Sequence, residues 1–171
     1  MSKIVIRKMT KPDCTIISEL FQAQGWDKPL KLYEGYHAEQ LNNERDVFVA
    51  EFNNAIAGYV TIQWQSPDNY FRKQNIPEIK DLNTLIKFRN NGIATALMNI
   101  AEKRIRESGY SIIGLGVGLY SDYGIAQRMY VKRGYNFDGR GLLYRGETIK
   151  PGSNVIVDDD LTLCMQKRLT S

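Results

Sequence analysis

The stretch Arg89-Asn90-Asn91-Gly92-Ile93-Ala94-Thr95-Ala96-Leu97 carries the clearest chemical meaning in this sequence. It lies between an alternating segment and an apolar stripe at helical spacing, so it joins a strand to a helix. The first turn of a helix holds backbone N–H groups without internal partners, and the helix dipole makes that end positive. Asn, Gly and Ala side chains leave a phosphate room to approach those N–H groups. Arg89 adds a planar, charged donor set, and Thr95 adds a hydroxyl. The chemistry is that of holding a phosphate-bearing molecule, although an ordinary strand–helix turn with an exposed Arg has the same pattern. Other phosphate patterns fail: there is no GxxxxGK[ST], and after Gly114 and Gly116 the last glycine of GxGxxG would fall on Leu119.

The rest of the reactive inventory is short. His37 is the single histidine, which removes the two-histidine zinc patterns, and no G-x-S-x-G elbow accompanies it. Cys14 and Cys164 stand near opposite ends and form no CxxC pair. No metal site is expected.

The elements that must position the loop follow from periodicity. Residues 3–8 alternate as a strand, 11–24 read as a helix stopped by Gly25, and 29–43 as a second helix. Asp46–Phe52 and Ala55–Trp64 form a hairpin around Asn53-Asn54. Residues 65–77, polar and with two prolines, read as a long loop of the kind that carries function. A strand over 78–86, a helix over 93–108 ended by Gly109 and a strand over Ile112–Leu119 come next. A helix runs from Ser121 or Asp122 to about Arg133, before Gly134. Strand material at Tyr135–Phe137 and Leu142–Tyr144, a charged turn at Asp158-Asp159-Asp160 and a strand at Leu161–Lys167 complete the chain. This order predicts one α+β domain over 1–171, with one mixed sheet flanked by helices.

Composition agrees. The 171 residues are 43% hydrophobic and 25% charged, enough apolar content for a core and too much for disorder. No apolar run is long enough to span a membrane, and the N-terminus lacks the apolar stretch of a signal peptide. A cytoplasmic setting with free cysteines is expected. A net charge of +4 suits an anionic ligand, but no Lys/Arg block or aromatic RNA motif points to nucleic acid.

On these residues the chain resembles the GCN5-related N-acetyltransferases (the GNAT superfamily). Arg89, Gly92 and Ala94 match the three fixed positions of its acyl-CoA-binding motif, [RQ]-x-x-G-x-[GA]. Ala126, Tyr130, Gly134 and Tyr135 match a second pattern, A-x-x-x-Y-x-x-x-G-[FY]. The element order also matches over nearly the whole chain. The resemblance implies a central, mostly antiparallel twisted sheet, splayed between its fourth and fifth strands to take acetyl-CoA. It assigns the pyrophosphate to Arg89, Asn90, Asn91, Gly92, Ile93, Ala94 and Thr95, and the pantetheine arm to the backbone of Leu82, Asn83 and Thr84. Tyr123 and Ala126 complete the implied cofactor contacts.

Two catalytic roles are implied. Tyr130 would protonate the departing thiolate, since a phenol of ordinary pKa about 10 keeps its proton at neutral pH. Glu78, eleven positions before Arg89, would take the proton of the amine. A core-packed Tyr and a solvated strand-end carboxylate are the plainer alternatives. Asp81 is the weaker candidate, placed by alternation on the other face of the strand from Glu78. The sequence departs from relatives that carry Asn at the place of Tyr123 and Glu at that of Gly118. Gly114, Gly116 and Gly118 share one strand face, which suits clearance for a ligand or close packing of a helix.

In this fold the acceptor would lie against the first two helices and the 65–77 loop. Trp26, Tyr33, Tyr36 and Tyr70, with nearby carboxylates such as Asp27, Glu34 and Asp68, suit a cationic amine. Asp158–Asp160 would attract a polyamine or aminoglycoside if it is more than a solvated turn. The implied reaction is direct acetyl transfer from acetyl-CoA to a primary amine of a small molecule. The alternatives are a protein lysine or N-terminal amine as acceptor, and a non-catalytic acyl-CoA sensor. A homodimer is compatible; membrane and nucleic-acid partners are not expected.

Overall fold

The computed structural model describes residues 3–169. They form two compact units, residues 3–64 with 79–108 and residues 65–78 with 109–169. The element order is α+β, as the periodicity predicts.

The first unit is built on the strand order β1 (Ile4–Lys8), β2 (Arg45–Phe52), β3 (Ala55–Gln63), β4 (Glu78–Thr84), the first residue of β4, Glu78, belonging to the second unit. β2 and β3 are an antiparallel hairpin from Arg45↔Gln63 to Phe52↔Ala55. Its turn is Asn53-Asn54, both left-handed at φ 51° and 64°, the geometry a two-residue hairpin loop needs and Asn tolerates. Val47, Val49 and Tyr59 pack with Cys14, Ile17 and Phe21 of α1 (Lys11–Ala23) and Tyr33 of α2 (Leu30–Leu41). The alternate residues Phe48, Ala50, Val60 and Ile62 are buried too, so both faces of the hairpin are covered. α4 (Ile93–Glu107) packs on β1, β2 and β3 and buries its predicted stripe of Ile93, Leu97, Ala101 and Ile105.

The second unit follows the order β5 (Ile112–Gly118), β8 (Leu161–Arg168), β6 (Asn136–Tyr144), β7 (Glu147–Thr148), all antiparallel. It also holds α3 (Asn69–Lys73) and α5 (Gly124–Lys132). Phe71, Ile76, Leu143 and Cys164 form one core cluster here. The Gly114 N–H donates to the Pro77 carbonyl at 3.0 Å, tying the segment before β4 to β5.

Several expectations are corrected. The 65–77 segment is not all loop: Asp68 caps α3 by accepting the Phe71 N–H at 2.9 Å. The expected strand over 78–86 ends at Thr84, and a 3-10 turn fills Ile86–Phe88. The two strand pieces at 135–144 are one strand whose register slips between Phe137 and Leu142. Left-handed Gly139 and Gly141 lie inside that slip, where only small residues bend the strand cheaply. The helix expected from Ser121 opens instead as a 3-10 turn, Ser121–Tyr123.

Candidate active site

The phosphate loop in the first unit has the geometry its residues imply. Gly92 stands at the N-cap of α4 in the left-handed region, φ 78°, and Asn90 is left-handed as well at φ 63°. Asn91 Nδ2 donates to the Phe88 and Arg89 carbonyls at 3.1 and 3.0 Å, closing the turn. The first helical bond runs from the Ala96 N–H to the Gly92 carbonyl at 3.0 Å. The N–H groups of Ile93, Ala94 and Thr95 therefore precede the helix ladder and have no partner within it. Arg89, Asn90, Asn91, Gly92 and Thr95 are exposed, Ala94 is half-buried, and Ile93 turns into the core. These residues fit an anionic diphosphate: open donors, a positive helix end and an exposed cation, with no large side chain in the way.

Leu82, Asn83 and Thr84 on β4 are half-buried. Asn83 Nδ2 donates to the Tyr59 hydroxyl at 3.1 Å. Thr84 Oγ1 and Gln24 Nε2 are buried and have no hydrogen-bond partner among the described residues. Gln24 Oε1 accepts the Ile86 N–H at 3.0 Å, so the end of α1 leans on the chain that leads into the loop. The Arg89 guanidinium carbon lies 5.8 Å from the centre of the Trp26 ring.

The acceptor-side residues divide. Tyr33 is a core residue, wholly buried, with its ring edge-on to Tyr36 and Tyr59 and its hydroxyl 3.4 Å from that of Tyr59. Burial pushes its phenol up to about 12, and it lines no open wall. Tyr36 is half-buried and donates to the Asp81 carboxylate, with the Arg45 guanidinium 4.4 Å from its ring centre. Lys28 Nζ sits 3.5 Å from the same carboxylate. Asp81 has φ 47°, a left-handed residue inside a strand, so the regular alternation is interrupted at Asp81 itself. Half-buried Trp26 packs on Phe21, 5.6 Å between ring centres. Tyr70, in the second unit, is covered by the guanidinium of Arg140 at 4.6 Å. Asp68 is taken by that same Arg140 at 2.9 Å, so this carboxylate already has its cation.

Both catalytic candidates stand in the second unit. Tyr130 is 7% exposed and lies 5.8 Å from the Tyr135 ring. Burial pushes its phenol above the ordinary range, which keeps it protonated. Glu78 is not the solvated strand-end carboxylate of the plainer reading: it is 5% exposed and its Oε2 accepts the Ser66 hydroxyl at 2.5 Å. Ser66 had no motif to single it out.

Tyr123 donates to Asp159 at 2.7 Å, and Tyr120 donates to the same oxygen. Asp159 is thus an anchor for two phenols rather than part of a wholly solvated turn. The Tyr123 ring fills the space over Gly118: a Cβ there would lie 2.4 Å from Tyr123 Cε2. Phe71 does the same at Gly114, with ring atoms 2.8 Å from a Cβ position. Packing by aromatic rings, not clearance for a ligand, explains those two glycines. Ala126 is half-buried on α5, and Gln127 donates to the Gly118 carbonyl at 2.8 Å, joining that helix to the end of β5. Half-buried His37 on α2 belongs to neither cluster.

Among the described residues no group of three or more His, Cys, Asp or Glu side chains is placed to hold a metal ion. No helix among them is long and apolar enough to cross a membrane. Cys14 and Cys164 are free and buried.

A spermidine N-acetyltransferase chimera from Vibrio cholerae and hSSAT is 17% identical, with TM-score 0.69 over 96% of this chain and 95% of that one. The ribosomal-protein-alanine N-acetyltransferase of Brucella melitensis is 18% identical, with TM-score 0.71 over 96% and 99%. The yncA protein of Salmonella typhimurium, solved with its cofactor acetyl-CoA, is 20% identical, with TM-score 0.68 over 98% and 94%. These likenesses establish a shared fold. A search of curated protein sequences finds no match. The model of the Acetyltransferase (GNAT) family matches residues 14–135, well over half of the chain and including both the loop at 89–95 and Tyr130. The chain therefore belongs to the GNAT acetyltransferase family.

Proposed function

We propose that this protein transfers the acetyl group of acetyl-CoA directly to a primary amine in a ternary complex, the chain acting as one acetyltransferase domain in the cytoplasm. The observation that carries the reading is the loop at 89–95, with its left-handed Gly92, open N–H groups and exposed Arg89 at the head of a 15-residue helix. That loop holds the pyrophosphate, and the backbone of Leu82, Asn83 and Thr84 on β4 runs along the pantetheine arm. Acetyl-CoA supplies an activated thioester. Glu78 takes the proton that the amine loses as its nitrogen bonds to the acetyl carbon. Tyr130 gives its phenol proton to the sulfur as the carbon–sulfur bond breaks.

The acceptor is a small-molecule amine. Half-buried Trp26 and Tyr36 supply aromatic faces that suit a compact cation, which would compete with Lys28 for the Asp81 carboxylate that Tyr36 meets. The test is release of CoA thiol from acetyl-CoA against polyamines, aminoglycosides, amino acids and short peptides. Turnover on one class names the acceptor. Turnover on peptides alone moves the assignment to a protein amine. Tight CoA binding by calorimetry with no turnover makes the chain an acyl-CoA sensor, a reading that the packed Tyr123 in place of Asn favours.

A further inference from the structure

Around Glu78, the second unit carries a polar network that the reading above does not use. Ser66 is wholly buried, and its hydroxyl has two neighbours. It accepts the Asp68 N–H at 2.9 Å and donates its single proton to Glu78 Oε2 at 2.5 Å. With its acceptor side occupied by the Asp68 N–H, the O–H direction is set toward the carboxylate. Asp68 is itself held. Arg140 Nη1 donates to both of its carboxylate oxygens at 3.1 and 2.9 Å, and Arg140 Nε donates to Asp138 at 2.7 Å. The guanidinium carbon lies over the Tyr70 ring, 4.6 Å from its centre, and 5.2 Å from that of Phe71. Arg140 is 19% and Asp68 10% exposed at the side chain, so the pair is shielded from solvent and salt.

We infer that Ser66 is a positioning residue for Glu78, and that the Arg140–Asp68 pair holds Ser66 in place. The reason is mechanical. The terminal torsion of a glutamate is soft and nearly two-fold, so a carboxylate without a fixed donor samples many planes. A short hydrogen bond to Oε2 fixes that plane and directs Oε1 consistently. Oε1 lies 4.0 Å from where a Cβ would stand on Gly116. A proton acceptor whose orientation is set before the reaction loses less of its catalytic effect to misalignment.

The inference rests on Glu78 acting as the base, and the experiment separates the two claims. In one-dimensional proton NMR of the whole chain, the buried Ser66 hydroxyl gives a downfield resonance that exchanges slowly with water. It disappears in Ser66→Ala, moves upfield in Glu78→Gln, whose amide oxygen is a weaker acceptor than a carboxylate, and shifts or broadens in Arg140→Gln, which alters neither bonding partner. With acetyl-CoA and whichever amine of the panel supports turnover, Ser66→Ala lowers kcat about ten- to a hundredfold, the range for a hydrogen bond to a charged group, and leaves the KM for acetyl-CoA unchanged. Thermal melts establish that each variant folds. The inference is overturned if the wild-type protein has no such resonance. It is also overturned if Ser66→Ala keeps the wild-type kcat while Glu78→Gln loses it. Wild-type turnover by Glu78→Gln refutes the base assignment instead, and the resonance then still decides whether Ser66 holds the carboxylate.

Discussion

Replacing Tyr130 by Phe separates stability from chemistry. The ring is 7% exposed and packs beside Tyr135, and Phe keeps all of that contact. The substitution removes one hydroxyl, hence at most about 1 kcal/mol of hydrogen bonding. For a chain of this size that is a melting shift of no more than about 4 °C. The chemical loss is larger. Proton donation by a placed acid contributes about a hundredfold or more, so kcat falls at least that far, equivalent to about 2.7 kcal/mol of barrier. The assay is thiol release from acetyl-CoA at saturating amine, beside a thermal melt of the same sample. The pH dependence adds a second check. Burial raises the Tyr130 phenol above its ordinary value, so this acid is retained across the neutral and mildly basic range. The kcat profile of the wild-type enzyme should accordingly show no fall on its basic side below about pH 10. A Phe variant that turns over at the wild-type rate refutes the acid role. One that melts more than about 10 °C lower shows that the hydroxyl is structural, since no single hydrogen bond accounts for that loss.

Three other outcomes follow from the same reasoning. Arg89→Ala weakens CoA binding about tenfold in calorimetry, and leaves the affinity for pantetheine, which lacks the diphosphate, unchanged; equal losses for both ligands would place Arg89 elsewhere. Gly118→Ala drives a Cβ to 2.4 Å from the Tyr123 ring and costs about 2 kcal/mol of stability, while adding Tyr123→Ala restores much of it; a denaturant titration showing two additive losses would contradict the packing. Burial alone would raise Asp13, but the Arg7 guanidinium and the Thr10 hydroxyl and N–H hold it below its ordinary 3.8. Its contribution is present above that value and is lost as pH falls through the lower folded value. Asp13→Asn should therefore lower the melting temperature near neutral pH and flatten its decline below about pH 4; an unchanged acid limb would exclude the pair as its source.

The residues of the phosphate loop, the hairpin turn and the helix stripes could be read from the sequence because each depends on neighbours a few positions away. Gly92 ahead of an apolar stripe implies a helix start with open N–H groups, whatever the rest of the chain does. Asn53-Asn54 between two alternating runs implies a hairpin for the same reason. Tyr130 and Glu78 were legible only through resemblance. The tertiary structure decided their surroundings. Ser66 meets Glu78 across 12 positions, Tyr36 meets Asp81 across 45, and Arg140 meets Asp68 across 72. No local pattern encodes such pairings, since they form only when strands and turns have closed. Tyr33 and Tyr36 sit three residues apart on one helix, yet one is sealed in the core and the other reaches a carboxylate. Helical spacing put them on one face; which of them met the hairpin and which met Asp81 was settled by packing. The left-handed Asp81 escaped the sequence for a related reason. Period-2 alternation assumes an unbroken strand, and a single residue at positive φ ends that assumption.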